Sequence, residues 1–574
     1  MRLIIFSIFL ISSLYSNVNL KSLSNNKSWL SLLHYNPYSK TSDIISKNFF
    51  IDKNGNIDPY QELNATIKAY NNRNYKIICN YPARYLWLSK KIKYINFKKI
   101  INSCKHLKNW RLAKDIDSIS IIFVSGFLGN PASTFGHSFI KINKKNQNSL
   151  LDNTISFGAK LPKKYTMVSY IVNGLFGGYR GRYTDEYYYM NDIAYSNQDF
   201  RDMWEYKLKL NNFQKRLLVY HFWELRKSQF RYYFLNRNCG YRVSEFINII
   251  SKDNFISKSL IWYAPIDTFY RLDNANLTYK VIYHPSLEKI VKNRYYRLSK
   301  KNQKIIKKFI KDKNSSIEIL SNNTKLYDYI LDYYNYLMEN MDKNDKDYKE
   351  LSKRKNKLLL QRIKLPKSKE SNIILKEKDI TYSSYPSYLS LSFNKNSVYL
   401  NYSPYSNEDI SLNLLNGDIF KVLDIELKIS KRSLKLYRID YVNIRKLTDS
   451  FDLKKFYETY SWRLLVSTSK DNNRFNTYLD AGIGYSWKIF NNTKLFSFVN
   501  LYVDTNKKIK LYPSLGLYFD FDKLKTSINI YKKSHEKIKY NVNMQYNFNN
   551  KEALYLKITK DNKIKTYIGL KWYF

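Results

Sequence analysis

Ile538-Lys539-Tyr540-Asn541-Val542-Asn543-Met544-Gln545-Tyr546-Asn547-Phe548 carries an apolar side chain at every second position and a polar one between. A period of two belongs to a β-strand with one apolar and one polar face. The same alternation runs through Leu479, Ala481, Ile483, Tyr485, Trp487 and Ile489. It returns in Ile564, Thr566, Ile568, Leu570, Trp572 and Phe574, set against Lys565, Tyr567, Gly569, Lys571 and Tyr573. Between residues 379 and 574 about twelve such segments of about ten residues follow one another, separated by Asn-, Asp- and Lys-rich turns. Ten alternating residues is the length of a strand that crosses a bilayer. Soluble antiparallel sheets alternate as well. The number of segments, the lack of helical patterns among them and the aromatic residues at strand ends favour an antiparallel transmembrane β-barrel of about 12 strands, with a polar lumen.

Towards the N-terminus the period changes. Residues 285–378 are Lys-rich and helical in pattern, a basic helical connector that Pro366 brings to an end. Residues 116–284 read as a mixed α+β domain. Ile119-Ser120-Ile121-Ile122-Phe123-Val124 is a buried-strand run, and Phe135–Ile142 and Leu150–Phe157 are further strands. Asp199–Leu210 and Phe213–Arg226 read as helices, and Phe230–Leu235 as a short extended piece. Val243, Phe246, Ile247 and Ile250 then repeat at helical spacing, which puts Cys239 in the first turn of a helix. Residues 18–115 read as short helices and turns. Residues 1–17, with Arg2 ahead of an apolar run from Leu3 to Leu14, have the layout of a secretory signal peptide. No stretch is apolar for long enough to form a membrane-spanning helix.

The formal charge of +49, from 97 Lys and Arg against 48 Asp and Glu, invites a nucleic-acid reading. The basic residues are spread from end to end instead of forming an arm, so nucleic acid is not an expected partner. The charge reads as solvated surface, with anionic lipid head groups or lipopolysaccharide as the residual partner it allows. A hydrophobic content of 44% and 17% aromatics exclude extended disorder, and 574 residues call for two or three domains.

Export would place the three cysteines in an oxidising compartment. Cys79 and Cys104 are close in sequence and are expected to pair, which would stabilise the domain by about 3 kcal/mol in the chain-entropy model. Cys239 is left free, either a core residue or a nucleophile. At a helix start the dipole would lower its pKa, and the amides of Cys239 and Gly240 could hold an oxyanion. Of the six histidines, His34, His106 and His284 lie in polar or loop contexts, His221 reads as a packed residue on a helix, and His535 lies in a barrel turn. His137 opens a strand after the turn-rich Asn130-Pro131-Ala132-Ser133-Thr134-Phe135-Gly136, and is the candidate base. Neither residue has a second Cys or His at ligand spacing, so no metal and no cofactor is expected.

The stretches WLSLLHY (29–35), FFIDKNGNIDPYQELNAT (49–66), CNYPARYLWL (79–88), NPASTFGHSFIKI (130–142), GLFGGYRGRY (174–183), RDMWEYKLKL (201–210) and YYFLNRNCGYRV (232–243) resemble, in order, the periplasmic domain named after Lnb, the lipoprotein N-acyltransferase. The resemblance implies a Cys-His thiol hydrolase or acyltransferase, with His137 and Cys239 in the positions of the family's proposed pair. Strand His before helix-start Cys is also similar to permuted papain-like enzymes such as the lecithin:retinol acyltransferase group. Two departures stand out: Gly240 takes the place of the usual Ser after Asn-Cys, and a barrel follows where the acyltransferase has transmembrane helices. The terminal Phe574 resembles the signature that the barrel-assembly machinery reads.

The expectation is therefore an outer-membrane protein of a Gram-negative bacterium with a periplasmic, permuted papain-like catalytic domain. It would act through a Cys239 thioester on phospholipid acyl chains, with a lipoprotein amine or water as acceptor. Asn130, Asn153, Ser156, Asn238 and Gly240 are the candidates for orienting the imidazole or holding the oxyanion. The glycines from Gly174 to Gly181 suggest a flap over a lipid tail, or a structural loop. A peptidoglycan amidase or peptidase with the same chemistry, and a non-enzymatic barrel with a periplasmic scaffold, are the rival readings.

Overall fold

The computed structural model describes residues 19–574 apart from 127, 129–133, 257–261, 313–314, 340, 368–376, 396, 414–416, 431–432, 449–459, 472–473, 534–535 and 562. The expected signal peptide, Asn130 and His535 lie outside the described residues. The chain divides into two units, one ending at Glu288 and the other beginning at Lys289.

The first unit is built on a seven-stranded antiparallel sheet. Its strands are β1 (Ile116–Val124), β2 (His137–Lys144), β3 (Asn153–Lys160), β4 (Tyr179–Tyr187), β5 (Met203–Leu208), β6 (Phe230–Tyr232) and β7 (Thr278–His284), in the order β6-β4-β3-β2-β1-β5-β7. The helices used below are α1 (Lys27–Leu32), α2 (Pro59–Asn71), α3 (Pro82–Leu88), α4 (Met167–Phe176), α5 (Asn212–Leu225), α6 (Cys239–Ile250) and α7 (Asp267–Asn274). The helix expected over Asp199–Leu210 is not formed. Met203–Leu208 is instead β5, pairing Ser120 with Lys207 on one side and Met203 with His284 on the other. Nearly every residue of β5 is buried, so both faces are apolar or paired and the period-two signal is lost.

Charge pairs tie the N-terminal segment to α6 within the first unit. Arg242 and Glu245 of α6 bond to each other at 2.7 Å, Arg242 reaches Asp43 at 3.3 Å, and His34 Nδ1 lies 3.1 Å from Glu245. His34, expected in a polar context, is buried, and its Nε2 faces His221 Nε2 at 3.0 Å. Arg84 of α3 is fully buried between Glu62 of α2 and Glu224 of α5. A disulfide joins Cys79 and Cys104, whose Cα atoms are 5.5 Å apart.

The second unit opens within α8 (Leu287–Arg297), and α9 (Lys300–Lys311), α10 (Thr324–Met338) and α11 (Lys346–Arg362) follow. They meet through ion pairs such as Arg294–Asp332 (2.8 Å) and Arg362–Asp328 (2.6 Å). Twelve antiparallel strands follow: β8 (Tyr388–Asn394), β9 (Ser397–Ser403, resumed after Pro404 as Tyr405–Asn407), β10 (Ile419–Ser430), β11 (Ser433–Lys446), β12 (Ser461–Asp471), β13 (Arg474–Phe490), β14 (Thr493–Asp504), β15 (Ile509–Phe521), β16 (Leu524–Tyr531), β17 (Lys539–Asn547), β18 (Glu552–Lys560) and β19 (Ile564–Tyr573). Ile568 of β19 pairs with Phe393 of β8, and Tyr402 of β9 pairs with Ile425 of β10, so the sheet closes on itself. Ile483, Val499, Leu511 and Ile568 are exposed on the outer surface, while Asp424, Asp480, Asn500, Lys525 and Gln545 are buried within. Lys421 and Lys571 both pair with Glu408 inside. A closed barrel with an apolar exterior and a polar interior leaves no unpaired strand edge, the condition for crossing a bilayer with strands.

Candidate active site

His137 begins β2 and pairs with Val124 of β1. Gly136 before it has φ +86°, and a Cβ there would sit 2.9 Å from the Phe123 ring and from Val124 O. Only glycine supplies that turn without strain or clash, so the strand entry and the ring are fixed together. Cys239 begins α6, which packs on β2 and β3. Asn238 caps the helix: its Oδ1 accepts from Tyr241 N, while Nδ2 donates to Phe234 O at 3.1 Å and Tyr263 O at 2.8 Å. Both amide hydrogens are thereby spent. Asn238 fixes the loop that carries Cys239 and does not orient the imidazole.

His137 and Cys239 line one cavity of about 90 Å³, together with Phe135, Gly136, Tyr195, Arg201, Tyr232, Phe234, Asn238 and Pro265. The Cys239 thiol is buried, and it faces the amides of Ser138 and Gly240 and the Ser138 hydroxyl. That hydroxyl is buried and satisfied by no settled hydrogen bond, so it can turn towards a thiolate. Burial raises the thiol pKa, outweighing these donors and the Arg201 charge, which lower it. The lowering expected from the helix start is thus overturned by desolvation. Burial, reinforced by Arg201, holds the His137 imidazole down at about 3. At neutral pH the pair is a neutral thiol beside a neutral imidazole.

The other candidates fall elsewhere. Asn153 pairs with Ile142, at the opposite end of β2 from His137. Ser156 pairs with Thr184 on β4 and does not line the cavity. Each has a buried atom without a partner, Asn153 Nδ2 on a buried residue and Ser156 Oγ on a half-buried one. Gly240 sits beneath Pro265, whose Cα would lie 2.5 Å from an added Cβ. This accounts for glycine where the resemblance implies serine. The glycines read as a flap are the inner side of α4 (Gly174), its left-handed end (Gly177) and a residue of β4 (Gly181). Among the described residues no group of three or more His, Cys, Asp or Glu is set to hold a metal.

Two site residues escaped the sequence reading. Tyr195 lies in a π-helical turn, Asp192–Gln198, and its ring is 5.7 Å from that of His137. Such turns favour functional positions because they insert one extra residue into a helix. Arg201 is buried. Its Nε donates to Ser125 O at 2.7 Å and its Nη1 lies 3.5 Å from Asp199, but Nη2 is buried without a partner. Arg201 opens the stretch RDMWEYKLKL (201–210), but nothing in that stretch sets it apart as a site residue. Its role is visible only once β5 is a strand.

Residues 106–275 match the family described as the Lnb N-terminal periplasmic domain. Residues 21–91 and 414–573 match two domains of unknown function, DUF7843 and DUF7840. No curated protein matches the chain. Among solved structures the KdgM porin is 13% identical, with a TM-score of 0.22, over 33% of this chain and 98% of that one. The NanC porin is 10% identical, with a TM-score of 0.21, over 33% and 98%. These likenesses say nothing of what this barrel binds or conducts. The periplasmic-domain family and the barrel together fit an outer-membrane protein of a Gram-negative bacterium.

Proposed function

We propose that the protein is a cysteine-dependent acyltransferase or hydrolase, anchored in the outer membrane, that takes acyl chains from phospholipid. The observation that carries this reading is the meeting of His137 and Cys239 in one cavity walled by Phe135, Phe234, Tyr195, Tyr232 and Pro265. His137 accepts the Sγ proton, and the thiolate attacks an ester carbonyl. The C–S bond forms, the C–O bond breaks, and the leaving alcohol takes the proton from the imidazolium. An amine, such as a lipoprotein amino terminus, or water then attacks the thioester, releasing the thiolate, which regains a proton through His137. The amides of Ser138 and Gly240 and the free Nη2 of Arg201 are the donors closest to hand for the negative charge on oxygen. The order of strand His and helix-start Cys supports a permuted papain-like relationship. The aromatic walls favour an acyl chain over a peptide.

The test is incubation of the detergent-solubilised full chain with acyl-labelled phospholipid, comparing wild type, Cys239→Ser and His137→Ala. The expected result is a labelled thioester at Cys239, absent in Cys239→Ser and slowed about 10²-fold or more in His137→Ala. No label and no lysolipid, with the thiol still open to an electrophile, would overturn the lipid reading in favour of a peptide bond.

A further inference from the structure

The helix α4 presents an apolar face to solvent. It lies between β3 and β4, opened by a capping box of Thr166 with Ser169 and closed by Gly177 in the left-handed region. Its inner side is spoken for: the Tyr170 ring is 5.0 Å from Phe234, and Phe234 N donates to Gly174 O at 2.8 Å. Its outer side carries Val168 (72% exposed), Ile171, Val172, Leu175 and Phe176 (78% exposed), at the i, i+3, i+4, i+7, i+8 spacing of a single stripe. Leu161 and Tyr165, just ahead of the helix, are exposed as well. Contiguous apolar surface of this kind on an exported domain marks a contact site.

Charge decides between occupants. Lys160, Lys163 and Lys164 lead into α4, and Arg180 and Arg182 follow it, all exposed. No Asp or Glu occurs between Asp152 and Asp185, so the hairpin around α4 carries five positive charges and no negative one. A second copy would set five positive charges against five. A bilayer surface bearing anionic phosphate head groups satisfies both the charge and the apolar stripe.

We infer that α4 is an interfacial helix, which buries Val168, Ile171, Val172, Leu175 and Phe176 in the head-group and acyl boundary of an anionic bilayer while the flanking Lys and Arg side chains hold phosphates. Because Phe234 both braces α4 and lines the His137–Cys239 cavity, this docking would deliver lipid to the wall of that cavity, a consequence that rests on the acyl-transfer reading. Membrane docking itself does not.

The experiment uses the full chain with Cys239→Ser as background, so no catalysis enters the result. A single cysteine is placed by Phe176→Cys, or by Arg216→Cys at an exposed position of α5 as a control, labelled with an environment-sensitive fluorophore and reconstituted into vesicles containing phosphatidylglycerol. Brominated phospholipid is expected to quench the label at 176 roughly threefold more than the label at 216. Lys160→Gln, Lys163→Gln and Lys164→Gln combined, or purely zwitterionic vesicles, should remove most of that difference. A label at 176 that iodide in the water quenches as fully as the control, and that brominated lipid leaves alone, would overturn the inference. So would protection that tracks protein density and ignores lipid bromination, since a second copy would then be the cover. Val172→Cys repeats the measurement one turn earlier should the Phe176 variant fail to fold.

Discussion

At the scale of single residues, the site is a thiol kept neutral by burial. The helix start favours the thiolate, but the loss of water around Sγ favours the thiol by more. The sign of the consequence is fixed: Cys239 should ionise above the ordinary thiol range of about 8.5. Its alkylation by iodoacetamide should stay slow at neutral pH and climb only on the alkaline side. A plateau already reached near pH 6 would mean a thiolate–imidazolium pair and a different first step. Arg201 adds the second prediction. Its Nε is committed to Ser125 O, while Nη2 has no partner. Arg201→Gln should therefore lower kcat by about 10²-fold through a lost oxyanion donor, with KM changed little. Arg201→Lys should not restore it, since an ammonium cannot hold Ser125 O and reach a second acceptor in the guanidinium's geometry. An Arg201→Gln enzyme that lost KM and kept kcat would make the residue a substrate anchor instead.

Among the elements, β5 shows how buried polar groups fix a sheet. Glu205 on β5 accepts from Ser120 on β1 at 2.7 Å, meets Lys141 on β2 at 3.2 Å and faces His284 on β7 at 3.1 Å. Despite its burial, these partners hold its carboxyl down at about 2, below an ordinary 4.5. A depressed carboxyl contributes stability that is present above the unfolded value and lost as pH falls through the folded one. Wild-type stability should therefore fall between about pH 4.5 and 2, and Glu205→Gln should flatten that slope. The variant should also lose about 3 kcal/mol at neutral pH, because Lys141 is left buried with weaker compensation. Denaturant unfolding at stepped pH reads both, and an unchanged acid slope would remove Glu205 from the account. The same strand shows where the sequence stops being legible. The helix starting at Cys239 could be read from a 3.6-residue stripe, and the barrel strands from strict alternation, because each element has one face on water or lipid. β5 has neither. In the same way His137 and Cys239 were visible as residue types in suggestive places. Arg201, Tyr195 and the Gly240–Pro265 contact depend on chain crossings that no local pattern encodes.

For the whole molecule, the question is whether the alternation of residues 379–574 faces lipid. The closed ring of twelve strands removes every edge, and the interior is held by ion pairs such as Arg463–Asp480 at 3.1 Å. A soluble barrel would close as well, so closure alone does not decide. The two faces differ in what they tolerate. Ile483, in the middle of β13, points outward and is 56% exposed. If its surroundings are hydrocarbon, Ile483→Arg should cost about 2–4 kcal/mol, whereas on a wet surface an exposed apolar residue exchanges for Arg at almost no cost. Asn543 on β17 belongs to the polar face and pairs across the sheet with Lys557 of β18. Asn543→Asp adds a charge there next to an opposite one and should leave folding intact. Urea-driven unfolding of vesicle-inserted protein, followed by the mobility difference between folded and unfolded barrels on cold detergent gels, measures both variants. A large loss for Ile483→Arg beside a neutral Asn543→Asp would fix the outer face in lipid. Equal tolerance of both would return the barrel to water, and with it the case for a catalytic domain held at a membrane.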